Sequence, residues 1–414
     1  MGQEDSSAVE HHYGWVMVVV ASVLMGMGSG ALISISVFLK PLIAEFAWLR
    51  GETSLGYLAG ALAMGIGGIV MGYLSDRYST RRVVLGGLIC LGVSLLLLST
   101  QSSLWQFYLF YCLMGGFGAS SLDVPLLANI GHWFNRNKGL AIGLATAGRA
   151  LGQGFVPFLS GYMIAASGWR DAYTTLGLVT LVAMVPLALL VKNPPGFEEA
   201  RIASRAASQA EHDEAYPMAP KLAVSWVGVA SIFCCVCMGT AMVHAVALAQ
   251  DTGLDAEDAA AVILLIYISG FFGRIFFGKL ADHIGGIRAY WLSSFGQTAL
   301  IFWFVQMHSI TEIYILAVAF GFFFGGVMTG LTICVRELTP LHMRGVATGV
   351  VFLLAWVGMG IGGYQGGLFF DLSGSYVISY ANAAIVGAIN LMIVGALYFY
   401  VIRQKTAPAG QLAD

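Results

Sequence analysis

The sequence predicts an all-α integral membrane protein whose twelve transmembrane helices form two pseudo-symmetric six-helix bundles. Of its 414 residues, 58% are hydrophobic and only 10% are charged, whereas soluble domains carry about 25% charged residues. The apolar stretches are long enough for helical spans of about 20 residues each, and the second half of the chain repeats motifs of the first. Composition, span length and internal repetition therefore agree on one architecture.

Two motifs recur at the same spacing of 206 residues. Gly-Tyr-Leu-Ser-Asp-Arg at 72–77 returns as Gly-Lys-Leu-Ala-Asp-His at 278–283, and Lys-Gly-Leu-Ala-Ile-Gly at 138–143 returns as Arg-Gly-Val-Ala-Thr-Gly at 344–349. Because both motifs share one offset with no gap between them, chance is a poor explanation. The pattern indicates a duplicated membrane unit, an arrangement that often surrounds a central site.

Continuous apolar runs predict the individual helices. The runs do not alternate between apolar and polar residues, so a closed barrel of strands is excluded. The predicted spans are 15–40, 53–75, 83–101, 104–131, 138–166, 172–191, 222–249, 258–281, 287–307, 312–337, 343–370 and 376–402. A polar, charged segment lies between the sixth and the seventh. We therefore predict an N-terminal bundle over 1–192, a cytoplasmic linker over 193–221 and a C-terminal bundle over 222–414.

The distribution of basic residues predicts the orientation. If both termini are cytoplasmic, fifteen of the 20 lysines and arginines lie on the cytoplasmic side, as the positive-inside rule requires. Lys40, Arg50 and Arg170 remain outside, and Arg149 and Arg274 remain within the membrane. We expect Lys40 to reach the outer interface with its charged end, and we expect the outer loop that contains Asp251, Asp255, Glu257 and Asp258 to be solvated.

Several kinds of chemistry are not supported by the sequence. The six cysteines lie in apolar runs without metal or redox spacing and are interpreted as small buried side chains. A nucleotide-binding Gly-x4-Gly-Lys-Ser/Thr loop is not found, and neither is a nucleophile beside a base. We therefore expect no enzyme activity, no cofactor, no metal site and no nucleic-acid partner.

The loop after the second predicted helix resembles the signature of the major facilitator superfamily. In that superfamily the acid and bases of this loop form a breakable latch that holds the outward-open state. The matching residues are Gly72, Asp76, Arg77, Arg81 and Arg82. The second copy keeps Gly278, Asp282 and Arg288 but has His283 in place of the first arginine. A merely topological role for these bases is the alternative.

Two further segments resemble one branch of the superfamily. Residues 125–148 are similar to the fourth-to-fifth-helix motif of monocarboxylate transporters and of the bacterial oxalate/formate antiporter group, and His-Tyr-Gly-Trp-Val at 12–16 is similar to their Gly-Trp motif. The resemblance is incomplete. Many animal monocarboxylate transporters have a lysine at the position of Ile33 and an aspartate at the position of Gly270, and the antiporters have a base on the eleventh helix, where 354–357 has none.

Charges within predicted spans are candidate functional residues, since an unpaired charge near mid-membrane costs several kcal/mol. Arg274 matches the arginine that binds the substrate carboxylate in monocarboxylate transporters, and a guanidinium offers a carboxylate two parallel hydrogen bonds. Arg149 lies on the fifth helix, which meets the eighth at the boundary between the halves in this superfamily. The two arginines could therefore face one cavity and bind a dianion or two carboxylates. A scaffold ion pair is the alternative for each.

Asp123 is the candidate for proton coupling. It lies at a similar depth to Arg149, on a helix that lines the cavity in this superfamily. If a substrate anion took the arginine, the carboxylate would lose its partner and accept a proton more readily. A static Asp123–Arg149 bridge and a partner on another helix are the alternatives.

Weaker candidates complete the predicted site. His244 lies on the seventh helix and could carry a proton, although a hydrogen-bonded buried histidine is the alternative. Four residues could donate hydrogen bonds to a substrate, or could serve only in packing between helices. They are Tyr111, Asn129, Tyr267 and Tyr364.

Together, these observations and the resemblance lead to one leading hypothesis. It is proton-coupled symport of a small monocarboxylate, similar to lactate or pyruvate, by alternating access in a bacterial cytoplasmic membrane. A proton-independent exchanger for oxalate, formate or another short dicarboxylate is the alternative. A transporter-like sensor is a further class, although the sequence has no long signalling domain. We expect the protein to function as a monomer.

Overall fold

The computed structural model describes residues 4–134, 138–193, 218–340 and 343–406. This part of the chain is almost entirely helical and contains no strand. Its helices form twelve spans, numbered in chain order. In the first half, span 1 comprises Glu4–Ile33 and Ile35–Phe46; span 2, Arg50–Arg77; span 3, Thr80–Ser99; span 4, Leu104–Leu113, Met114–Ala119 and Ser120–Trp133; span 5, Lys138–Ser167; and span 6, Trp169–Val179, Thr180–Met184 and Val185–Ala188. In the second half, span 7 comprises Pro220–Asp251; span 8, Ala256–Ile284; span 9, Gly286–Ile301 and Phe302–Gln306; span 10, Ile310–Leu338; span 11, Arg344–Ser373; and span 12, Val377–Thr406.

The predicted fold class is confirmed by these spans. Ten of the described helices are long and apolar enough to cross a membrane. The other two are spans 5 and 9. Polar residues such as Arg149 and Gln153 interrupt the apolar run of span 5, and span 9 has only 16 α-helical residues before a 3-10 turn. Most of the predicted linker, at 194–217, lies outside the described residues.

Span 1 is longer than predicted. It continues past the expected end at residue 40 and stops at Phe46, although Pro41 lies inside the helix. Pro41 is the seventh residue of the segment that begins at Ile35. It lies in the helix interior, where a proline removes one backbone hydrogen bond. The extension adds residues 41–46, which include Glu45, beyond the predicted boundary.

The pseudo-symmetry predicted from the repeat is visible in the packing. In span 4, Gly115 lies so close to the backbone of Gly60 that a side chain would overlap its carbonyl, and 206 residues later Gly321 makes the same contact with Ile266. Close backbone approach through small residues is typical of membrane helices. The pairs between spans 1 and 5 and between spans 7 and 11 follow the same rule. They are Gly26 with Gly152, and Ile232 with Gly358.

The two halves meet along two extensive helix pairs and along a smaller contact between the second segment of span 1 and span 7. Span 2 packs on span 11, and span 5 packs on span 8. We call the end of the bundle that carries Arg81 and Arg288 the Arg81 face, and the opposite end the Asp251 face. Contacts between halves cluster toward the Asp251 face, for example Gly161 against Ala260 and Gly367 against the backbone of Arg50.

Candidate functional site

Three charged side chains lie at one level inside the bundle. Asp123 on span 4 and Arg274 on span 8 each precede the end of their helix by ten residues, and Arg149 on span 5 follows its start by eleven. At 1.5 Å per residue, all three lie about 15 Å from the Arg81 face. Three spans from both halves therefore bring their charges to one depth.

Asp123 and Arg149 form an ion pair. Arg149 Nη1 lies 2.6 Å from Asp123 Oδ1 and 2.6 Å from Asp123 Oδ2. The two side chains are only 13% and 9% exposed. Because both carboxylate oxygens accept from one nitrogen, the remaining guanidinium donors of Arg149 are not used by this acid. Its Nε is buried and has no hydrogen-bond partner among the described residues.

Local helix geometry positions this pair. The segment Met114–Ala119 just before Asp123 is a π-helix, a feature that often accompanies functional sites, and Pro125 follows two residues after the acid. On span 5, Gly148 and Gly152 contact span 1 so closely that side chains there would overlap Ser22 and Gly26. This contact fixes the rotation of span 5 and hence the direction of Arg149.

Arg274 has no carboxylate within ion-pair distance among the described residues, which contain four ion pairs elsewhere. Its Nε is buried and donates no hydrogen bond within that part of the chain. Its electrostatic neighbours are Arg149, Tyr267 and Asp123. Two guanidinium groups and one carboxylate thus share a neighbourhood with a formal charge of +1, and each guanidinium has an unpartnered donor.

Tyr267 belongs to the same neighbourhood. It lies two helical turns from Arg274 on span 8, is 1% exposed, and has Arg274 and Arg149 as electrostatic neighbours. Its ring packs edge-on against Phe324 with centroids 5.4 Å apart. Of the four uncharged residues predicted to contact a substrate, Tyr267 is the one that the structure brings beside the arginines.

Tyr57 was missed by the sequence analysis. It lies on span 2, is fully buried, and its hydroxyl has no hydrogen-bond partner in the described chain. Tyr267 is an electrostatic neighbour from the other half. A comparison of the two copies of the repeat could have found it, because the residue equivalent to Tyr57 in the second copy is the apolar Ile263. The charged residues of the site differ between the copies in the same way: Asp123, Arg149 and Arg274 each correspond to an uncharged residue.

The structure does not bring Asn129, Tyr111 or Tyr364 to the arginines. Asn129 lies near the Arg81 face, where its amide donates to Asn193 at 3.0 Å and accepts from Trp133 at 3.0 Å. These bonds occupy the amide in holding span 4 to the end of span 6, and a contact of Asn129 with a substrate stays a prediction.

The two tyrosines lie closer to the Asp251 face. The Tyr111 hydroxyl is 3.1 Å from that of Tyr173, and Tyr111 is fully buried in the N-terminal half. Tyr364 is an electrostatic neighbour of Tyr108, whose hydroxyl donates to the Glu52 carbonyl in the first turn of span 2. Both are therefore displaced from the predicted site toward its far side.

His244 is likewise remote from the charged residues. It is fully buried about 10 Å from the Asp251 face. Its Nε2 lies 2.7 Å from the Gly363 carbonyl, and its Nδ1 lies 3.0 Å from the Tyr376 hydroxyl. Because a carbonyl only accepts, Nε2 carries the proton and Nδ1 accepts from Tyr376. The ring is thus satisfied in its neutral form, which is the structural alternative left open by the sequence.

The basic residues of the two loop motifs lie at the Arg81 face. Arg77 lies over the Tyr78 ring at 5.9 Å, and Arg288 Nε donates to the Tyr398 hydroxyl on span 12 at 2.6 Å. Arg81, Arg82 and Asp282 are exposed. A contact that the sequence did not predict is Glu337, which accepts from the Gly286 N–H with both oxygens at 3.0 Å. The latch function of the motifs stays a prediction.

Comparison with known proteins identifies the family. The model of the Major Facilitator Superfamily matches residues 18–363 and 227–413. The chain belongs to this superfamily. It is therefore a multi-pass membrane transporter of that class.

Curated relatives of the superfamily cover most of the chain. Monocarboxylate transporter 13 of Rattus norvegicus is 26% identical over 95% of this chain and 92% of its own length. Monocarboxylate transporter 2 of Homo sapiens is 24% identical over 95% of this chain and 87% of its own length. The uncharacterized transporter YhjX of Escherichia coli is 25% identical over 84% of this chain and 85% of its own length.

Solved structures share the fold at low sequence identity. The xylose transporter XylE from E. coli, in a partially occluded inward-open conformation, aligns with a TM-score of 0.74 and 14% identity, covering 93% of this chain and 98% of that one. A bacterial homologue of the lysosomal transporter Spinster, in an inward-facing conformation, aligns with a TM-score of 0.67 and 13% identity, covering 95% and 97%. These similarities establish the superfamily fold.

Proposed function

We propose that this superfamily member is a secondary active transporter that moves a small monocarboxylate, similar to lactate or pyruvate, together with a proton. The observation that carries the proposal is the unpaired Arg274 beside the Asp123–Arg149 ion pair. A buried cation without a carboxylate is costly unless an anion or water reaches it. The formal charge of +1 in this neighbourhood favours one monoanion, which neutralises it.

In this proposal Arg274 binds the substrate carboxylate through two hydrogen bonds, and Tyr267 contributes to the wall of the site. The substrate also engages the unused donors of Arg149. Asp123 then shares its partner with the substrate, and a carboxylate that loses a cationic partner binds a proton more tightly. Substrate and proton are thereby taken up together. Alternating access of the two halves carries both across the membrane.

The experiment uses the protein in liposomes with a pH-sensitive dye inside. With the parent chain, we expect an inward lactate gradient to acidify the lumen. With Asp123→Asn, we expect lactate exchange to continue while acidification is lost, because the amide cannot accept the proton. Proton flux at parental stoichiometry in this variant would remove Asp123 from the coupling mechanism. Asp171→Asn, at the start of span 6, is the matched control.

A proton-independent exchange of formate, oxalate or another short dicarboxylate is the second candidate. Gly270 favours it, because that position lacks the aspartate of many animal monocarboxylate transporters and leaves Arg274 without an acid one turn away on its own helix. An exchanger requires a counter-anion inside the liposome and changes the internal pH little. Lactate uptake into liposomes that contain no carboxylate therefore distinguishes the two candidates.

The arrangement in the membrane belongs to the same proposal. Residues 1–192 and 222–414 form the two bundles, joined by a cytoplasmic linker over 193–221. The Arg81 face and both termini lie on the cytoplasmic side of a bacterial cytoplasmic membrane, as the positive-inside rule indicates. The protein works as a monomer. Tags that report from one side only, attached to each terminus, would test the orientation.

A further inference from the structure

Four charged residues at the Asp251 face form a cluster that joins the two halves. Asp251, the last residue of span 7, accepts from Lys40 Nζ at 2.7 Å and from Arg50 Nη1 and Nη2 at 2.6 and 3.1 Å. Asp371, near the end of span 11, is the fourth member. We call these residues, Lys40, Arg50, Asp251 and Asp371, the Asp251 cluster. The sequence did not indicate that Asp251 pairs with Lys40 and Arg50.

Asp371 binds the start of span 2 rather than a side chain. Its Oδ1 accepts from the Arg50 N–H at 3.0 Å and its Oδ2 accepts from the Gly51 N–H at 2.6 Å. The first N–H groups of a helix have no partner in the helix and carry a partial positive charge. Asp371 therefore caps a helix of the other half with a full negative charge.

The backbones also touch at this point. A side chain at Gly367 of span 11 would meet the carbonyl and the next nitrogen at Arg50. The Arg50 guanidinium lies over the Phe370 ring at 3.6 Å from its centroid, a favourable cation–π distance. One residue, Arg50, is therefore held by an acid of span 7, an acid of span 11 and an aromatic ring of span 11.

The signs of charge are divided between the halves. Spans 1 and 2 supply the two cations and the helix N-terminus, and spans 7 and 11 supply the two carboxylates. Every polar contact in the cluster consequently crosses the boundary between halves. None of them survives if the two halves separate at this face, so the cluster breaks as a unit.

We propose that the Asp251 cluster is a charge latch, with Asp251 as its shared acceptor, which holds the Asp251 face closed and must break before the central charges open to that side. Its position is opposite to the two loop motifs at the Arg81 face. The proposal of a latch rests on the membership of the chain in a transporter class that alternates between two faces. It does not depend on which anion is carried.

The test measures access to a residue that the latch covers. Leu58 lies on span 2 about 12 Å below Arg50 and packs against Gly360 of span 11, so separation of the spans exposes it. A Leu58→Cys variant of the full chain in detergent is labelled with a charged, membrane-impermeant maleimide. Detergent admits the reagent from both faces, which makes the result independent of the orientation in the membrane.

We expect Asp251→Asn in this background to raise the labelling rate about fivefold, the size expected for one partly exposed ion-pair network. Asp251→Glu keeps the charge and should stay within about twofold of the parent by the same reasoning. Glu257→Gln removes an exposed acid in the first turn of span 8 and should leave the rate unchanged. Arg50→Ala combined with Asp251→Asn should label no faster than the quicker single variant, because both break one latch.

A parental labelling rate in Asp251→Asn, or an equal rise in Glu257→Gln, would overturn the proposal. Independent effects of Arg50→Ala and Asp251→Asn would also overturn it. A separate control detects loss of the fold: the single Asp251→Asn variant, without Leu58→Cys, is labelled with the same maleimide. The six native cysteines, all free and four of them buried, then gain label only if the protein unfolds.

Discussion

Replacing Arg274 by lysine separates charge from geometry at the proposed carboxylate site. The substitution keeps one positive charge on span 8 but removes the planar pair of donors. No carboxylate lies within ion-pair distance of Arg274 in the described chain, so the change breaks no protein ion pair. Any effect on transport therefore comes from the bound anion or from packing.

The magnitude follows from the number of hydrogen bonds. A guanidinium can make two charge-assisted bonds to a carboxylate, and an ammonium at the same place makes one. Each such bond contributes about 1.5–3 kcal/mol. Since about 1.4 kcal/mol corresponds to a factor of ten, Arg274→Lys should raise the half-saturation concentration roughly 10- to 150-fold.

The assay is uptake of radiolabelled lactate by proteoliposomes over a concentration series. Arg170→Lys is the matched control, because Arg170 pairs with Glu45 at 2.5 Å near the Asp251 face and both side chains are more than 40% exposed. A partly exposed pair of this kind contributes about 0.2–1 kcal/mol. Half-saturation within twofold of the parent in Arg274→Lys, or an equal loss in Arg170→Lys, would refute a carboxylate bond to Arg274.

Three further outcomes test the packing around the site. Gly115→Ala should lower the unfolding temperature strongly, because the new methyl group would overlap the Gly60 carbonyl. Gly86→Ala should not lower it, because no described atom lies within 4 Å of the position of its methyl group. Equal shifts of the two variants in a thermal melt would contradict this expectation. His244→Ala should destabilise the protein by about 1–3 kcal/mol, because it leaves the buried Gly363 carbonyl and Tyr376 hydroxyl without their hydrogen bonds. The ratio of protons to lactate transported should stay unchanged. A changed ratio in the dye assay would support His244 as a proton carrier. Tyr111→Phe should lose about 1 kcal/mol of stability with its hydrogen bond and leave half-saturation for lactate unchanged, so a rise in that value would place Tyr111 at the substrate.

The fold could be predicted in detail because its signals are local and repeated. Apolar runs defined the spans, and the 206-residue offset predicted a duplication that is visible in equivalent contacts such as Gly115 with Gly60 and Gly321 with Ile266. The depths of Asp123 and Arg149 also followed, since residue count along a helix measures height. Their pairing was one of the alternatives that the sequence left open, because the rotation of each span depends on packing that the sequence does not reveal.

The contacts that the sequence did not indicate share one physical reason. Asn129 and Lys40 were assigned from residue type and position along a span, and both are engaged by partners distant in sequence. Asp251 was assigned to solvent because it lies in a predicted outer loop beside other acids. Its cationic partners lie about 200 residues away, so no local pattern indicates them. Contacts between halves are the part of the structure that local patterns predict least.

The division of charge at the Asp251 face affects how an anion enters the protein from that side. Parting the halves would leave one wall of the vestibule with Lys40 and Arg50 and the other with Asp251 and Asp371. Such a vestibule has a strong potential gradient across its width, and an arriving anion is drawn to the cationic wall. Closure then makes Asp251 compete with that anion for the same two cations. Added salt screens both effects over about 10 Å, so we expect the opening rate to rise, and capture of dilute anions to fall, as ionic strength increases.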